Sequence, residues 1–212
     1  MPHNPPRRIA HNTRAGSIKE VPLTAITFRE LWAAFPYGKP YKNPAYTNQC
    51  AIRMSVTLHR VGVSMKSFNS RTVKPMAGAK TIGRILLDGK PTATRAEELG
   101  EWLTLRPFVG LPKAENITGP DWESKVKGRT GIIQFSGYWQ RKSERKSGGA
   151  PTGGHIDLWN GSRTTVASIL EIPATFGRRL GIRSFFQNKP LFDELSWSDF
   201  GESRKILFWE IQ

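Results

Sequence analysis

The chain contains one cysteine, Cys50, in 212 residues. A lone thiol closes no intramolecular disulfide and supplies no cysteine-rich zinc site, so the fold must rest on core burial. Acidic residues are scarce as well, 17 against 32 lysines and arginines, and the carboxylate clusters of metal-dependent nucleases are missing. No window approaches the roughly eighteen apolar residues of a membrane-spanning helix. The opening stretch, with Pro5, Pro6, Arg7 and Arg8, lacks the apolar segment of a secretory signal. The protein is therefore expected to be made soluble, not to insert in a membrane and not to leave by the general secretory route. Internal repeats, zinc-finger spacing, aromatic RNA-binding patterns and a recognition-helix signature are also absent.

What is present argues for a folded chain. Its length suits one domain, and 38% hydrophobic residues, 10% aromatics and seven tryptophans exceed what disordered chains carry. A net charge of +15 implies a polyanionic partner, for which nucleic acid, an anionic membrane and the bacterial cell wall are the candidates. Basic residues are densest at Arg7-Arg8, across Arg141 to Lys146, and at Arg178-Arg179.

Residues 1–23 are rich in Pro, Asn, Arg and His without apolar periodicity and read as a mobile basic arm, leaving 24–212 as the domain. Thr27 is placed to cap a helix whose Phe28, Leu31, Trp32 and Phe35 share one face. After a loop with Gly38, Pro40 and Pro44, a second helix starts at Cys50, with Cys50, Met54, Leu58 and Val61 on one stripe and Gly62 as its stop. Residues 64–91 stay undecided between strand and helical turn around Ile82 to Leu87. Thr94 and Glu97 have capping-box spacing ahead of a third helix. Strands are expected at 131–135, 155–159 and 205–211, an exposed loop at 140–154 and a helix near 176–180. Alternation over 155–159 puts Ile156 and Leu158 toward the core and His155, Asp157 and Trp159 on the face away from it. Asn160-Gly161 predicts a two-residue hairpin.

At a helix N-terminus, unpaired backbone N–H groups and the helix dipole favour a thiolate, so Cys50 is a candidate nucleophile and His155 its candidate base. His3 and His11 fall in the arm and His59 on the polar side of the Cys50 helix, where it is a candidate surface residue near the site.

Several blocks carry a resemblance: Phe28 to Phe35, Asn48-Gln49-Cys50-Ala51-Ile52-Arg53-Met54-Ser55, Lys127 to Ile133, Gly154-His155-Ile156-Asp157-Leu158-Trp159-Asn160-Gly161, and Ile206 to Trp209. In order and content they resemble the type VI secretion amidase effectors of the fourth family, within the NlpC/P60 group of papain-like cysteine peptidases. The resemblance implies an α+β papain-like fold, with the nucleophile at a helix N-terminus packed on a small antiparallel sheet that carries the histidine. It implies a peptidoglycan amidase that cleaves between γ-D-glutamate and meso-diaminopimelate in stem peptides, needing no cofactor and no metal. A type VI delivery component would carry it from the producer's cytoplasm to the periplasm of a target bacterium, and a cognate immunity protein would cover its active site. The alternative that the charge motivates is a basic nucleic-acid-binding or nuclease module.

Cys50 is then the nucleophile and His155 the general base and acid. Relatives can carry an aspartate about eleven residues after the histidine, which falls here on Val166. The residues left to orient His155 are Asp157, Asn160, Thr164 and Thr165. Asp157 is chosen because it alone brings negative charge, although i and i+2 positions on a strand stand about 6.5 Å apart. Arg53 is a candidate for binding a substrate carboxylate, or else a structural ion-pair partner. Trp159, Asn160 and Tyr46 are candidates for lining the substrate groove, and loop 141–146 for attracting the anionic wall.

Overall fold

A computed structural model describes residues 25–139, 150–165 and 200–212, together with the backbone of 7–10 and 18–21. β1 (Arg7–Ala10) and β2 (Ile18–Val21) pair antiparallel. Thr27 opens α1 (Phe28–Ala34) with a capping box: its hydroxyl accepts from the Glu30 amide at 3.3 Å, and the Glu30 carboxylate accepts from the Thr27 amide at 2.8 Å. The expected stripe lies on α2 (Cys50–Arg60), but this helix is central, with Ala51, Ile52, Arg53, Ser55 and Thr57 buried too. Ser55 and Thr57 tolerate burial because their hydroxyls donate to the carbonyls of Ala51 and Arg53, one turn back, at 2.8 and 2.9 Å. Gly62, with φ +85°, ends the helix as expected.

The undecided stretch forms a hairpin of β3 (Arg84–Leu87) and β4 (Lys90–Ala93). Asp88 and Gly89 both have positive φ, 49° and 71°, the geometry of a two-residue type I′ turn. The Asp-Gly pair is the sequence signal that decides it. The expected capping box at Thr94 does not form. α3 (Ala96–Thr104) begins after Arg95, and its third residue is Glu98. That buried carboxylate accepts from the amides of Gly83 at 2.5 Å and Met76 at 3.0 Å, and pairs with Arg95 at 2.8 Å. Thr94 itself still belongs to the hairpin, its amide donating to Gly83 O at 2.8 Å, so the helix starts one residue later than the box requires.

β5 (Glu115–Asn116), α4 (Trp122–Val126), β6 (Gly131–Trp139), β7 (Gly153–Trp159) and β8 (Lys205–Glu210) complete the described elements. The sheet is antiparallel in the order β5-β8-β6-β7, and β6 and β7 run longer than the apolar runs that announced them. α1, α2 and α3 cover one face over Met54, Leu58, Trp102, Ile156, Leu158 and Trp209. α3 can lie close because a Cβ at Gly100 would stand 1.9 Å from the Gln134 side-chain oxygen.

The opposite face corrects the expectation that His155 looks away from the core. It is covered by a second apolar cluster, including Trp122, Val126, Phe135, Trp159, Phe200 and Phe208. The reversal after β7 is shifted by one residue from the expected Asn160-Gly161 turn: the Asn160 amide donates to Arg163 O at 3.0 Å, leaving Gly161 and Ser162 between them, and Trp159 pairs with Thr164. No helix among the described residues is long and apolar enough to cross a membrane.

Candidate active site

Cys50 is the first residue of α2, and the preceding Gln49 makes no side-chain cap. The first-turn amides of α2 are thus left without that intrahelical partner, which favours a thiolate on the adjacent sulfur. The Gln49 side chain, 1% exposed, turns instead to the entering loop. Its amide nitrogen donates to Tyr41 O at 2.6 Å and Tyr46 O at 2.9 Å, and its oxygen accepts from the Tyr41 amide at 3.1 Å. This pins loop 41–46 beside the thiol, a role that sequence reasoning missed.

β7 lies at the sheet edge and pairs with β6 so that His155 faces Phe135. The His155 ring is stacked on Phe200 at 5.6 Å and 16°, and Phe200 is stacked on Phe135 at 4.1 Å and 10°. Phe200 lies forty-five positions downstream, with no local pattern to announce it. His155 Nε2 stands 3.2 Å from Asp157 Oδ2, a direct hydrogen bond. Two side chains leaning toward each other along the strand close the gap that backbone spacing leaves open. Asp157 is buried and its Oδ1 accepts from the Leu158 amide at 2.7 Å and from the Thr165 hydroxyl. Thr165 thus reaches the site through Asp157, not through the imidazole.

The His155 ring and the Cys50 thiol lie close enough that each acts on the other's titration. Since Nε2 is taken by Asp157, Nδ1 is the nitrogen left for sulfur. Burial pushes the thiol pKa up, yet the hydrogen bond and charge of His155, the Ile156 amide and the Arg53 charge together hold it below its ordinary value. Burial pushes His155 down, but hydrogen bonds to Asp157 and Cys50 and the charges of both raise it from 6.5 to about 9. Both shifts favour a thiolate–imidazolium pair near neutral pH.

The remaining candidates are placed as follows. Arg53 is buried on α2, where its Nε donates to Gly38 O at 3.1 Å and its charge acts on Cys50. Trp159 belongs to the second core cluster and donates from Nε1 to Val126 O at 2.9 Å. Asn160 closes the turn, its Oδ1 accepting from the amides of Ser162 and Arg163 at 3.2 and 3.1 Å. Trp159 Nε1 and Asn160 Oδ1 are thereby committed to structural bonds. Tyr46 stacks edge-on against Tyr41 at 5.2 Å. His59 sits near the far end of α2, 2.8 Å from Pro91 O. Loop 141–146, Val166, the 176–180 helix, His3 and His11 lie outside the described residues.

A helix-start thiol beside a strand histidine that a carboxylate holds from behind is the arrangement of thiol-dependent acyl-transfer hydrolases. Residues 46–209 match the sequence profile of the type VI secretion system (T6SS), amidase effector protein 4 family. The chain belongs to this family of amidase effectors, which sets aside the nuclease alternative. No curated protein matches it significantly. It is similar to the crystal structure of the type VI effector Tae4 from Enterobacter cloacae, at 16% identity and TM-score 0.47, over 90% of this chain and 99% of that one. The effector–immunity complex Tae4–Tai4 from Enterobacter cloacae matches at 18% identity and TM-score 0.47, over 89% and 100%. Tae4 from Salmonella typhimurium in complex with the immunity Tai4 from Enterobacter cloacae matches at 18% identity and TM-score 0.46, over 87% and 98%.

Proposed function

We propose that the protein is a peptidoglycan DL-endopeptidase that cleaves the γ-D-glutamyl to meso-diaminopimelate bond of stem peptides, with Cys50 as nucleophile, His155 as acid and base, and Asp157 as the carboxylate that orients His155. The observation that carries the reading is the His155 ring, held by Asp157 at 3.2 Å on one side and acting on the Cys50 thiol on the other. The thiolate attacks the γ-carbonyl carbon, and the oxyanion is held by first-turn amides of α2, including that of Cys50. The C–N bond then breaks as imidazolium gives its proton to the departing diaminopimelate amine. A γ-glutamyl thioester remains on Cys50. Water, losing its proton to His155, hydrolyses the thioester and restores the thiol.

The catalytic unit is taken as residues 24–212, the Phe28 amide donating to Gln212 O at 2.8 Å, with 1–23 as an arm that chemistry does not need. In keeping with its family, the protein acts in the periplasm of a target bacterium after type VI delivery, and an immunity protein that occludes the Cys50 region protects the producer. The test is incubation of the full chain with diaminopimelate-type peptidoglycan, with fragments identified by mass. Wild type should release products with a free γ-carboxyl on glutamate, and Cys50→Ala, with an unchanged melting temperature, should release none. Cleavage at another bond, or an active Cys50→Ala, refutes the proposal.

A further inference from the structure

The positive charge is unevenly distributed along the chain. Residues 60–95 carry eight lysines and arginines against one acidic residue, Asp88. Of those eight, all but Arg95 are exposed, and none of these seven (Arg60, Lys66, Arg71, Lys74, Lys80, Arg84 and Lys90) is ion-paired with another described residue. By contrast, the nearby Glu98 is buried and paired with Arg95. The cations are also gathered. Asn69 folds its loop by accepting from the Arg71 amide at 2.9 Å and donating to Lys66 O at 3.2 Å. The Arg84 guanidinium joins that loop by donating to Phe68 O at 3.1 Å. The loop carrying Lys74 and Lys80 is tied to α3 through the amides of Lys74 and Met76, which donate to Glu101 and Glu98 at 3.3 and 3.0 Å. Like charges held together on an ordered surface, here seven exposed cations against the exposed carboxylates of Asp88 and Glu101, cost stability unless a partner neutralises them.

This lobe follows the C-terminal end of α2, whereas Cys50 starts the helix; eleven residues separate them by about 15 Å. Phe68 is the one aromatic residue between 60 and 95 and is fully buried, so no ring is offered on which a base could stack. A γ-linked glutamate, on the other hand, keeps its α-carboxylate free at every stem of the wall polymer.

We propose that the 60–95 lobe is a docking surface for the repeating carboxylates of the peptidoglycan polymer, holding the enzyme on the insoluble wall while Cys50 works on a stem peptide. This inference rests on the substrate reading above. Its test separates polymer docking from chemistry. Lys66, Arg71, Lys74 and Lys80 are changed together to Gln in the full chain. For binding, this set is placed in the Cys50→Ala background, so that sacculi stay intact, and co-sedimentation is followed against salt. The Cys50→Ala protein should sediment with sacculi and be released as salt rises. The charge-neutral set should bind about tenfold more weakly or worse. Sacculi with amidated carboxylates should retain neither.

With Cys50 present, the neutral set should cleave a soluble disaccharide-tetrapeptide at the wild-type rate and intact sacculi more slowly. Equal sacculus binding by both proteins, or equal loss on soluble and insoluble substrates, overturns the docking surface. Binding to duplex DNA or anionic vesicles as tight as to sacculi overturns it too. Failure of the wild type to cleave the soluble peptide would instead refute the amidase reading, whatever the sedimentation shows.

Discussion

Replacing Asp157 by Asn removes one charge and little else. The amide oxygen of the substituted side chain can still accept from the Leu158 amide and the Thr165 hydroxyl, which now meet Asp157 Oδ1, so the fold should survive. What is lost is the anion 3.2 Å from His155 Nε2. Burial disfavours the imidazolium, yet hydrogen bonds to Asp157 and Cys50 and the charges of both raise His155 from 6.5 to about 9. Such a rise corresponds to about 3 kcal/mol in favour of the protonated ring. If the carboxylate supplies about half, its removal lowers the alkaline limb of kcat/KM by roughly one pH unit. The sign follows from the active form: thiolate and imidazolium must coexist, so the acid limb reports thiol protonation and the alkaline limb imidazolium deprotonation. A ring no longer held in place should also reduce kcat/KM at neutral pH by about 10- to 100-fold. Initial rates on a soluble muropeptide between pH 5 and 10 measure both effects. An Asp157→Asn variant with both limbs unmoved and a rate within about threefold of wild type would refute the assignment of Asp157.

Further outcomes follow from the same structure. Thr165→Val should shift the alkaline limb in the same direction by a smaller amount and Thr165→Ser should restore it; a Val variant with a wild-type profile would remove Thr165 from the site. Gln49→Ala leaves main-chain groups of Tyr41 and Tyr46 without their partner, at a cost of about 1–3 kcal/mol in chemical denaturation and with a raised KM as the loop beside Cys50 loosens. Gly100→Ala should lower stability by about 1–3 kcal/mol, because its Cβ would meet Gln134 Oε1 at 1.9 Å. His155 has a folded value above its unfolded one, so its contribution to stability is complete below pH 6.5 and is lost as pH rises through about 9. The wild-type denaturation midpoint should therefore lose this contribution over that interval, and by less in Asp157→Asn.

The placement of Cys50 and His155 was legible because local signals carried it: the stripe on α2, Gly62 as its stop, and the alternation along β7. The partners of those residues were legible to different degrees. Asp157 was readable as a charge on the right face, but its reach to His155 depends on side-chain lean, which residue spacing does not describe. Phe200 acts through a contact set by the return of a distant segment, and Gln49 and Thr165 through loop bonds three to eight residues away; periodicity is silent about both kinds. Trp159 was ambiguous for a related reason: strand alternation assigns a face but does not say what covers it. α4 and Phe200 cover that face and turn Trp159 inward. The Thr94–Glu97 capping box failed because Thr94 still belongs to the hairpin, its amide donating to Gly83 O at 2.8 Å, so the helix starts one residue later, after Arg95. The Asp88-Gly89 turn was a readable signal left unread.

His155 and Asp157 stand two residues apart on β7, a strand hydrogen-bonded to β6. The proposed base and the carboxylate proposed to aim it therefore travel together, whatever the rest of the domain does. Relative motion can enter the triad at a single joint, where the first turn of α2 abuts the middle of β7. A molecule that pried this seam apart by an ångström would silence the enzyme while leaving the histidine and its carboxylate undisturbed.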